Sequence, residues 1–484
     1  MKSLKEILYK LNTDKIIGNT NKLISNIVFD TNKVSNNSLF VAIKGSVNDS
    51  HNYIDNAISL GASSILCENI PRKINPKKTY IKVSDTRFAL GICCANFFNN
   101  PSQKIKLIGI TGTNGKTSIA TLLFQLFQSL KIKTGLISTI ENRINKEIIP
   151  SRLTTPDPYE INFLLNKMVD SNCEFCFMEV SSHGISQSRI NGLNFVCGVF
   201  SNITRDHLDY HKDFNDYALT KKKFFDMLGK KSIAIVNQDD PYSALMLKDS
   251  ISRKKFYGLN DLKVDYFGHS IHCTLNGISM AINDCHINTK ITGRFNVYNL
   301  LAIFSVSSEF IYEKIQSSSF MNQLKAVPGR FEVINSTKGI IGIIDYAHSP
   351  DALEKIFSSI NYLNEDKQKI ISVLGCGGNR DVGKRPIMGK IAYLNSDFSI
   401  FTSDNPRHEK VDKIISDMKS DIVKETHREL FCIYDRKEAI IKASNLAQKG
   451  DIILILGKGH EDYQEIEGER KPFNDYKLLT KILQ

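Results

Sequence analysis

At 484 residues the chain has room for roughly three domains of ~150 residues each. With 42% hydrophobic and 24% charged residues, and only 28 Gly and 12 Pro, the composition is that of an ordinary globular protein and excludes collagen-like, mucin-like and disordered classes. The net charge of +12 comes from 48 Lys and 15 Arg scattered along the whole length beside 41 Asn, which reads as compositional drift and not as a nucleic-acid surface. No membrane span is expected, because apolar runs such as Ile452–Leu456 fall far short of ~18 residues. MKSLKEILYK has no apolar stretch between its charges, so a cytoplasmic chain without a secretory signal is expected. The ten cysteines are dispersed and predict no disulfide framework. Cys173 and Cys176 have CxxC spacing, but CEFCFMEV reads as a buried strand before it reads as a redox or zinc pair.

Taken in chain order, residues 1–101 form a small α/β unit. A strand is predicted at 38–43 (SLFVAI), a helix at 53–60 stopping at Gly61, and a strand at 63–67. The polar stretch 99–103 (NNPSQ) marks a boundary. The second block, 102–330, opens with a strand at 104–110, a glycine-rich loop and a helix. In that helix Ile119, Leu122, Leu123, Leu126, Phe127 and Leu130 recur at helical spacing and predict one buried face. The third block, 331–484, alternates strands at 339–344, 370–374, 398–402 and 452–456 with helical patterns, which predicts a mostly parallel sheet covered on both faces. The fold class is therefore α/β in three domains.

The strongest chemical signal is the loop Thr111-Gly112-Thr113-Asn114-Gly115-Lys116-Thr117, set between a strand and a helix. Glycines let backbone N–H groups close around phosphate oxygens, and the helix N-terminus adds positive potential. Lys116 is placed to reach the β- and γ-phosphates, and the Thr117 hydroxyl to bind Mg²⁺. The general phosphate-loop pattern is not strictly met, since Ile110 holds its first glycine position. Glu179 ends the apolar run 175–178, where a Mg²⁺ ligand belongs in a parallel sheet. The polar segments 180–184 (VSSHG) and 202–211 (NITRDHLDYH) follow apolar strands and are expected at the same sheet edge. GCGGNR at 375–380 imitates a dinucleotide fingerprint, but its third glycine position is Arg380, which argues against an NAD site.

TGTNGKT, MEVSSHG, NITRDHLDYH, GRFNVYN, DYAHSPDALE, GCGGNRD, DNPR and GKGHEDYQ occur in this order between residues about 110 and 465. Together they resemble the Mur ligases of peptidoglycan synthesis, nearest the branch that adds the third peptide residue. The resemblance implies three domains: a small α/β UDP-binding domain, a central ATPase domain and a Rossmann-like domain that brings the amino acid. It implies a reaction in which ATP phosphorylates the D-glutamate side carboxylate of a UDP-muramoyl dipeptide and meso-diaminopimelate attacks the acyl phosphate. ATP and Mg²⁺ are the implied cofactors and small molecules the implied partners; a monomer is expected.

By matched motif, the resemblance implies ATP contacts at Gly112, Thr113, Asn114, Gly115, Lys116, Thr117, Ser118, Asn296, Arg330 and Asp345. Thr117, Glu179 and His207 would serve the metal, and Lys221 would be an N6-carboxylated lysine, although Lys221–Lys223 also reads as a solvated charge run. Lys116, Lys221, His207 and Glu179 are thus the expected catalytic set. Thr154, Thr155, Ser181, Gln187 and Arg189 match positions that hold the muramoyl dipeptide. Phe29, Thr31, Ser46, Val47 and Asn48 are the UDP candidates, in a block where Asp30-Thr31-Asn32 replaces the family's Asp-Ser-Arg. Arg380, Asp404, Asn405, Pro406, Arg407, Gly457 and Glu461 match the diaminopimelate contacts. The rivals are a lysine-adding sister or a folylpolyglutamate synthetase-like ligase, which the DNPR sequence disfavours, and a nucleic-acid-dependent ATPase, which absent Trp and sparse Arg disfavour.

Overall fold

The computed structural model describes residues 1–45, 48–315, 318–364, 368–423 and 427–484. The first block holds a five-stranded sheet built from Lys15–Ile17, Asn26–Val28, Ser38–Val41, Ser64–Cys67 and Thr79–Lys82, with the last four parallel. The helix Thr86–Phe97 closes one face. Its N-cap Asp85 accepts from the N–H groups of Arg87 and Phe88. The predicted helix end at Gly61 is present, with φ +114°.

The middle of the chain forms an eleven-stranded sheet. Its parallel centre consists of β1 (Lys106–Thr111), β2 (Thr134–Ile137), β3 (Phe175–Glu179), β4 (Phe195–Phe200), β5 (Ile233–Asn237) and β6 (Arg253–Gly258), in the order β2-β3-β1-β4-β5-β6. An antiparallel hairpin, 141–150, extends one edge, and an antiparallel meander over 266–289 extends the other. The strand order reverses beside β1, which is where doubly wound sheets bind ligands. Helix α1 (Lys116–Ser129) buries the predicted stripe through Phe127, and Leu130 falls at its C-cap, partly buried. Phe127 meets Phe175 and Phe177 of β3 edge-on, each at 4.9 Å. Each such buried side chain contributes ~1.5–3 kcal/mol, so the loop between β1 and α1 is anchored at both ends. Cys176 lies inside β3 and Cys173 just before it, both buried and both free thiols.

The last sheet has six strands, β7 (Glu332–Asn335), β8 (Ile341–Asp345), β9 (Ile370–Cys376), β10 (Phe398–Ser403), β11 (Glu429–Cys432) and β12 (Ile452–Leu456), in the order β7-β8-β12-β9-β10-β11. All pairs are parallel except β7 with β8. Strands β7 and β11 were not read from sequence; both are short, partly exposed edges. Among the described residues no helix is long and apolar enough to cross a membrane.

Candidate active site

The glycines of the β1–α1 loop are required by geometry. Gly112 and Gly115 have φ of +151° and +88°. A Cβ at Gly112 would lie 2.0 Å from the Ser201 hydroxyl, and one at Gly115 2.5 Å from Asn299 Oδ1. The loop is pinned to the segment after β4. Thr113 N donates to Asn202 O at 2.8 Å, Asn114 N to Asn202 Oδ1 at 3.0 Å, and Ser201 Oγ to Asn114 O at 2.6 Å. The Lys116 ammonium folds back on its own loop, donating to Gly112 O at 2.9 Å and Thr113 O at 2.8 Å. Burial lowers its pKa, while Glu179 and Asp206 hold it up.

Glu179 ends β3 beside Ile110 and is fully buried. Its carboxylate accepts from Thr117 Oγ1 at 3.0 Å, Thr139 N at 2.7 Å and Thr139 Oγ1 at 3.2 Å. Among the described residues no cationic side chain hydrogen-bonds it. A buried anion facing a hydroxyl is a hard oxygen donor pair, which fits Mg²⁺. No group of three or more His, Cys, Asp or Glu that could hold a metal occurs among the described residues.

Lys221 is 1% exposed, and its Nζ donates to Gly112 O at 2.8 Å, the same carbonyl that Lys116 uses. It also lies 4.8 Å from the centre of the Tyr217 ring. Burial, then the neighbouring Lys116 charge, push its pKa well below the usual lysine value. The solvated-charge-run reading therefore fails for Lys221. Lys222, by contrast, pairs with Asp226 and Asp249. His207 has φ +56°, donates its N–H to Asp206 Oδ1, and is held near pKa 4 chiefly by burial, with Lys116 and Lys221 adding to the effect. His183, expected at this sheet edge but given no role from the sequence, lies against His207 (4.9 Å) and Tyr210 (4.0 Å).

The five dipeptide candidates form one connected patch. Thr154 Oγ1 accepts from Thr139, and the Thr155 hydroxyl donates to Glu179 O and accepts from Ser181 N. Arg189 donates to Thr155 O at 2.6 Å and, through two nitrogens, to Gln187 Oε1. The Ser181 hydroxyl caps the short helix Ser182–Ser186.

Across the seam, Arg330 Nη2 donates to Thr117 Oγ1 at 3.2 Å, and its guanidinium lies 4.7 Å from the Tyr346 ring centre. Asp345 accepts from Phe331 N and Ala347 N, and burial raises its pKa to about 6. Asn296 donates to Thr292 O and accepts from Asn299. A cleft lined by Ser118, Leu122, Thr292, Asn296, Arg330 and Phe331 opens here. Two contributors were missed in the sequence. Asn299 faces Gly115 one helical turn after Asn296. Asp351 Oδ2 accepts from Asn114 at 2.6 Å and Thr204 at 2.8 Å, tying the last sheet's first helix to the phosphate loop.

The amino-acid candidates gather at the C-terminal ends of β9, β10 and β12. Asn405 Nδ2 donates to Glu461 Oε2 at 2.8 Å, and Arg407 Nη1 to Gly378 O at 2.7 Å. Asp404 receives Asn405 N, and a Cβ at Gly457 would approach Asp404 Oδ2 to 2.7 Å. A Cβ at Gly378 would lie 1.9 Å from Pro406 O, so the glycine loop serves close loop packing. Arg380 is exposed. Lys458, also missed, is fully buried and bridges Asn405 Oδ1 and Glu461 Oε2. The first block is less convergent. Phe29 packs on its core, Thr31 opens a short 3-10 turn capped by Asp30, and Asn48 O accepts from Gly45 N. Among the described residues no hydrogen bond joins Thr31 to Asn48. Ser46 and Val47 lie outside the described residues.

A glycine–lysine loop at the switch point of a parallel sheet, with a hydroxyl–carboxylate pair beneath it, defines a phosphate-loop α/β protein. The comparisons narrow this. Residues 110–307 match the Mur ligase middle domain, and residues 329–459 the Mur ligase glutamate ligase domain. The chain is 44% identical over 479 residues to UDP-N-acetylmuramoyl-L-alanyl-D-glutamate--2,6-diaminopimelate ligase of Phocaeicola vulgatus, covering 99% of each. It is 42% identical over 481 residues to the protein of the same name from Cytophaga hutchinsonii, again covering 99% of each. A solved structure of such a ligase superposes with TM-score 0.71 at 30% identity, covering 100% of this chain and 98% of that one. Mycobacterium tuberculosis folylpolyglutamate synthase complexed with ADP shares the fold at TM-score 0.63 and 16% identity, over 77% of this chain and 91% of that one. The chain belongs to the Mur ligase family.

Proposed function

We propose that this protein is an ATP-dependent ligase that joins meso-diaminopimelate to UDP-N-acetylmuramoyl-L-alanyl-D-glutamate, releasing ADP and phosphate, in the cytoplasmic stage of peptidoglycan precursor synthesis. The observation that carries the reading is the pairing, in one chain alignable end to end with ligases of that name, of a Lys116-bearing phosphate loop with an Arg407-bearing loop cluster on a second parallel sheet. The domain limits we assign are 1–101 for the UDP-muramoyl part, 102–330 for ATP and 331–484 for the amino acid.

A carboxylate is a poor electrophile, and two anions repel. Lys116 and the N–H groups of 112–118 lie where they would offset that repulsion while a dipeptide carboxylate oxygen attacks the γ-phosphorus and ADP leaves. The amine of diaminopimelate then attacks the acyl carbon, phosphate departs and the amine proton is lost. Thr117 and Glu179 would hold Mg²⁺, which would supply charge neutralisation on the phosphates, and His207, its pKa held near 4, would serve the metal as a neutral imidazole. Thr154, Thr155, Ser181, Gln187 and Arg189 would orient the dipeptide. Phe29, Thr31 and Asn48 would meet the UDP end, and Asn296, Arg330 and Asp345 the nucleotide. Arg407 offers a planar fork to the carboxylate that distinguishes diaminopimelate from lysine, with Arg380, Asp404, Asn405, Pro406, Gly457 and Glu461 around it.

Lys221 is read as the carbamylated lysine. Burial, which lowers the Lys221 pKa, favours loss of the ammonium proton; the freed amine would then add CO₂ and lose a second proton, so that a cation competing with Lys116 for Gly112 O becomes an anion. The deciding assay offers diaminopimelate and lysine side by side with ATP and the UDP-muramoyl dipeptide. Ligation of diaminopimelate is expected; equal use of lysine, or no ATP-dependent product, refutes the reading.

A further inference from the structure

Resting on the reading of the last sheet's loops as the amino-acid site, we infer that Arg385 and Glu409 form a clamp that positions Arg407 and so sets the preference for an amino acid with a second carboxylate. Arg385 lies in the helix Lys384–Leu394 and its side chain is fully buried, so it touches no substrate. Its two terminal nitrogens grip both Glu409 oxygens at 2.9 Å, a bidentate pair. The same guanidinium donates to Gly377 O at 3.2 Å and to Asp417 Oδ2 at 2.8 Å. One side chain therefore holds both the glycine loop after β9 and the loop after β10.

Glu409 completes the clamp from the other side. It accepts the Asn379 N–H through Oε1, and its own N–H donates to Pro406 O at 3.0 Å. The loops are zipped between these points by Gly378 N to Asn405 O at 2.9 Å and His408 N to Asn379 Oδ1 at 3.2 Å. Arg407 sits in the middle, with φ +53° and Nη1 on Gly378 O. That bond uses one of five guanidinium donors, and Nε stands 3.7 Å from Glu465 Oε2 on the opposite side of the fork. The acceptor that fixes the Nη1 end of Arg407 is thus the carbonyl of a loop whose place is set by Arg385 and Glu409, while Glu465 holds the Nε end. Neither residue lies in the phosphate loop, so the clamp's effect is confined to the amino acid.

Glu409→Gln tests this without stranding a buried charge, because Asp417 still pairs with Arg385. The KM for diaminopimelate should rise ~10-fold or more, since small displacements of positioning groups carry such costs. The preference over lysine should narrow by a similar factor, with the KM for ATP and for the muramoyl dipeptide unchanged. A variant whose amino-acid KM and preference match the parent's, or whose three KM values rise together, overturns the inference. Arg407→Ala is the control. If it leaves the diaminopimelate KM untouched, the amino-acid site is misassigned; if it destroys binding while Glu409→Gln does nothing, the clamp alone is refuted.

Discussion

Replacing Lys221 by Ala tests the chemistry at its most exposed assumption. In the described state two lysine ammoniums share the Gly112 carbonyl, Lys116 at 2.9 Å and Lys221 at 2.8 Å. If Lys221 acted only as a cation filling space, its loss would relieve repulsion and leave Lys116 better placed for phosphate. If it carries a carbamate, its loss removes an anion placed among phosphate and metal ligands. Preorganised charges of that kind are worth ~10²–10³ in kcat, or ~2.7–4 kcal/mol. We therefore expect Lys221→Ala to lose at least ~10²-fold in ligation, with partial rescue by short carboxylic acids that fit the vacated volume. Lys222→Ala breaks contacts to Asp226 and the exposed Asp249. Neither acid belongs to the phosphate loop or its metal pair, so its activity should stay near the parent's. The assay is ADP release coupled to product analysis, with ¹³CO₂ labelling as an independent readout of the carbamate. A healthy Lys221→Ala enzyme, or a dead Lys222→Ala beside it, would refute the reasoning.

Lys116→Ala should lower ligation ~10²-fold or more with the thermal midpoint little changed; near-normal turnover in a coupled ATPase assay would remove the phosphate-loop assignment. Asp345 binds a proton more readily in the folded chain, near pH 6 against 3.8 ordinarily. Its contribution to stability should thus fall as pH rises from about 4 to 6, by up to ~3 kcal/mol, and urea midpoints of the parent and Asp345→Asn should diverge with pH over that window; a pH-independent gap would contradict this. Arg436 and Asp475 form a fully buried pair, and Arg436 also donates to Ser403 O and Leu456 O at the ends of β10 and β12. Arg436→Met alone should cost ~3–5 kcal/mol in urea unfolding, and Arg436→Met/Asp475→Leu should recover most of it; strictly additive losses would refute the pairing.

What the sequence made legible was local. The phosphate loop declared itself because its glycines, lysine and threonine must be adjacent for the backbone to close, and the observed φ of Gly112 and Gly115 are those only glycine tolerates cheaply. Helix α1 was readable because a 3.6-residue apolar period has few other uses. Glu179 was readable as an acid at the end of an apolar run. The edge strands β7 and β11 were not: each has four residues, no clean alternation and one side open.

The partners of the site residues were hidden for a different reason. Asn114 meets Asp351 across 237 residues, Lys458 meets Asn405 across 53, and Arg436 meets Asp475 across 39. Nothing in the local pattern around Lys458 separates a buried bridging lysine from an exposed one; the difference appears only when two strand ends bring Asn405 and Glu461 within 3 Å of the same ammonium. The same holds for Lys221, one of three consecutive lysines, of which the helix turns one toward Gly112 O and one toward acids on the surface. Motifs therefore locate the groups that would meet substrate, while burial and long-range hydrogen bonds determine which charge each presents. In this chain the second kind of information matters most where like charges converge, at Lys116 and Lys221. There a register of one residue decides between an ammonium paired with two carboxylates and one buried against the phosphate loop, whose pKa burial lowers.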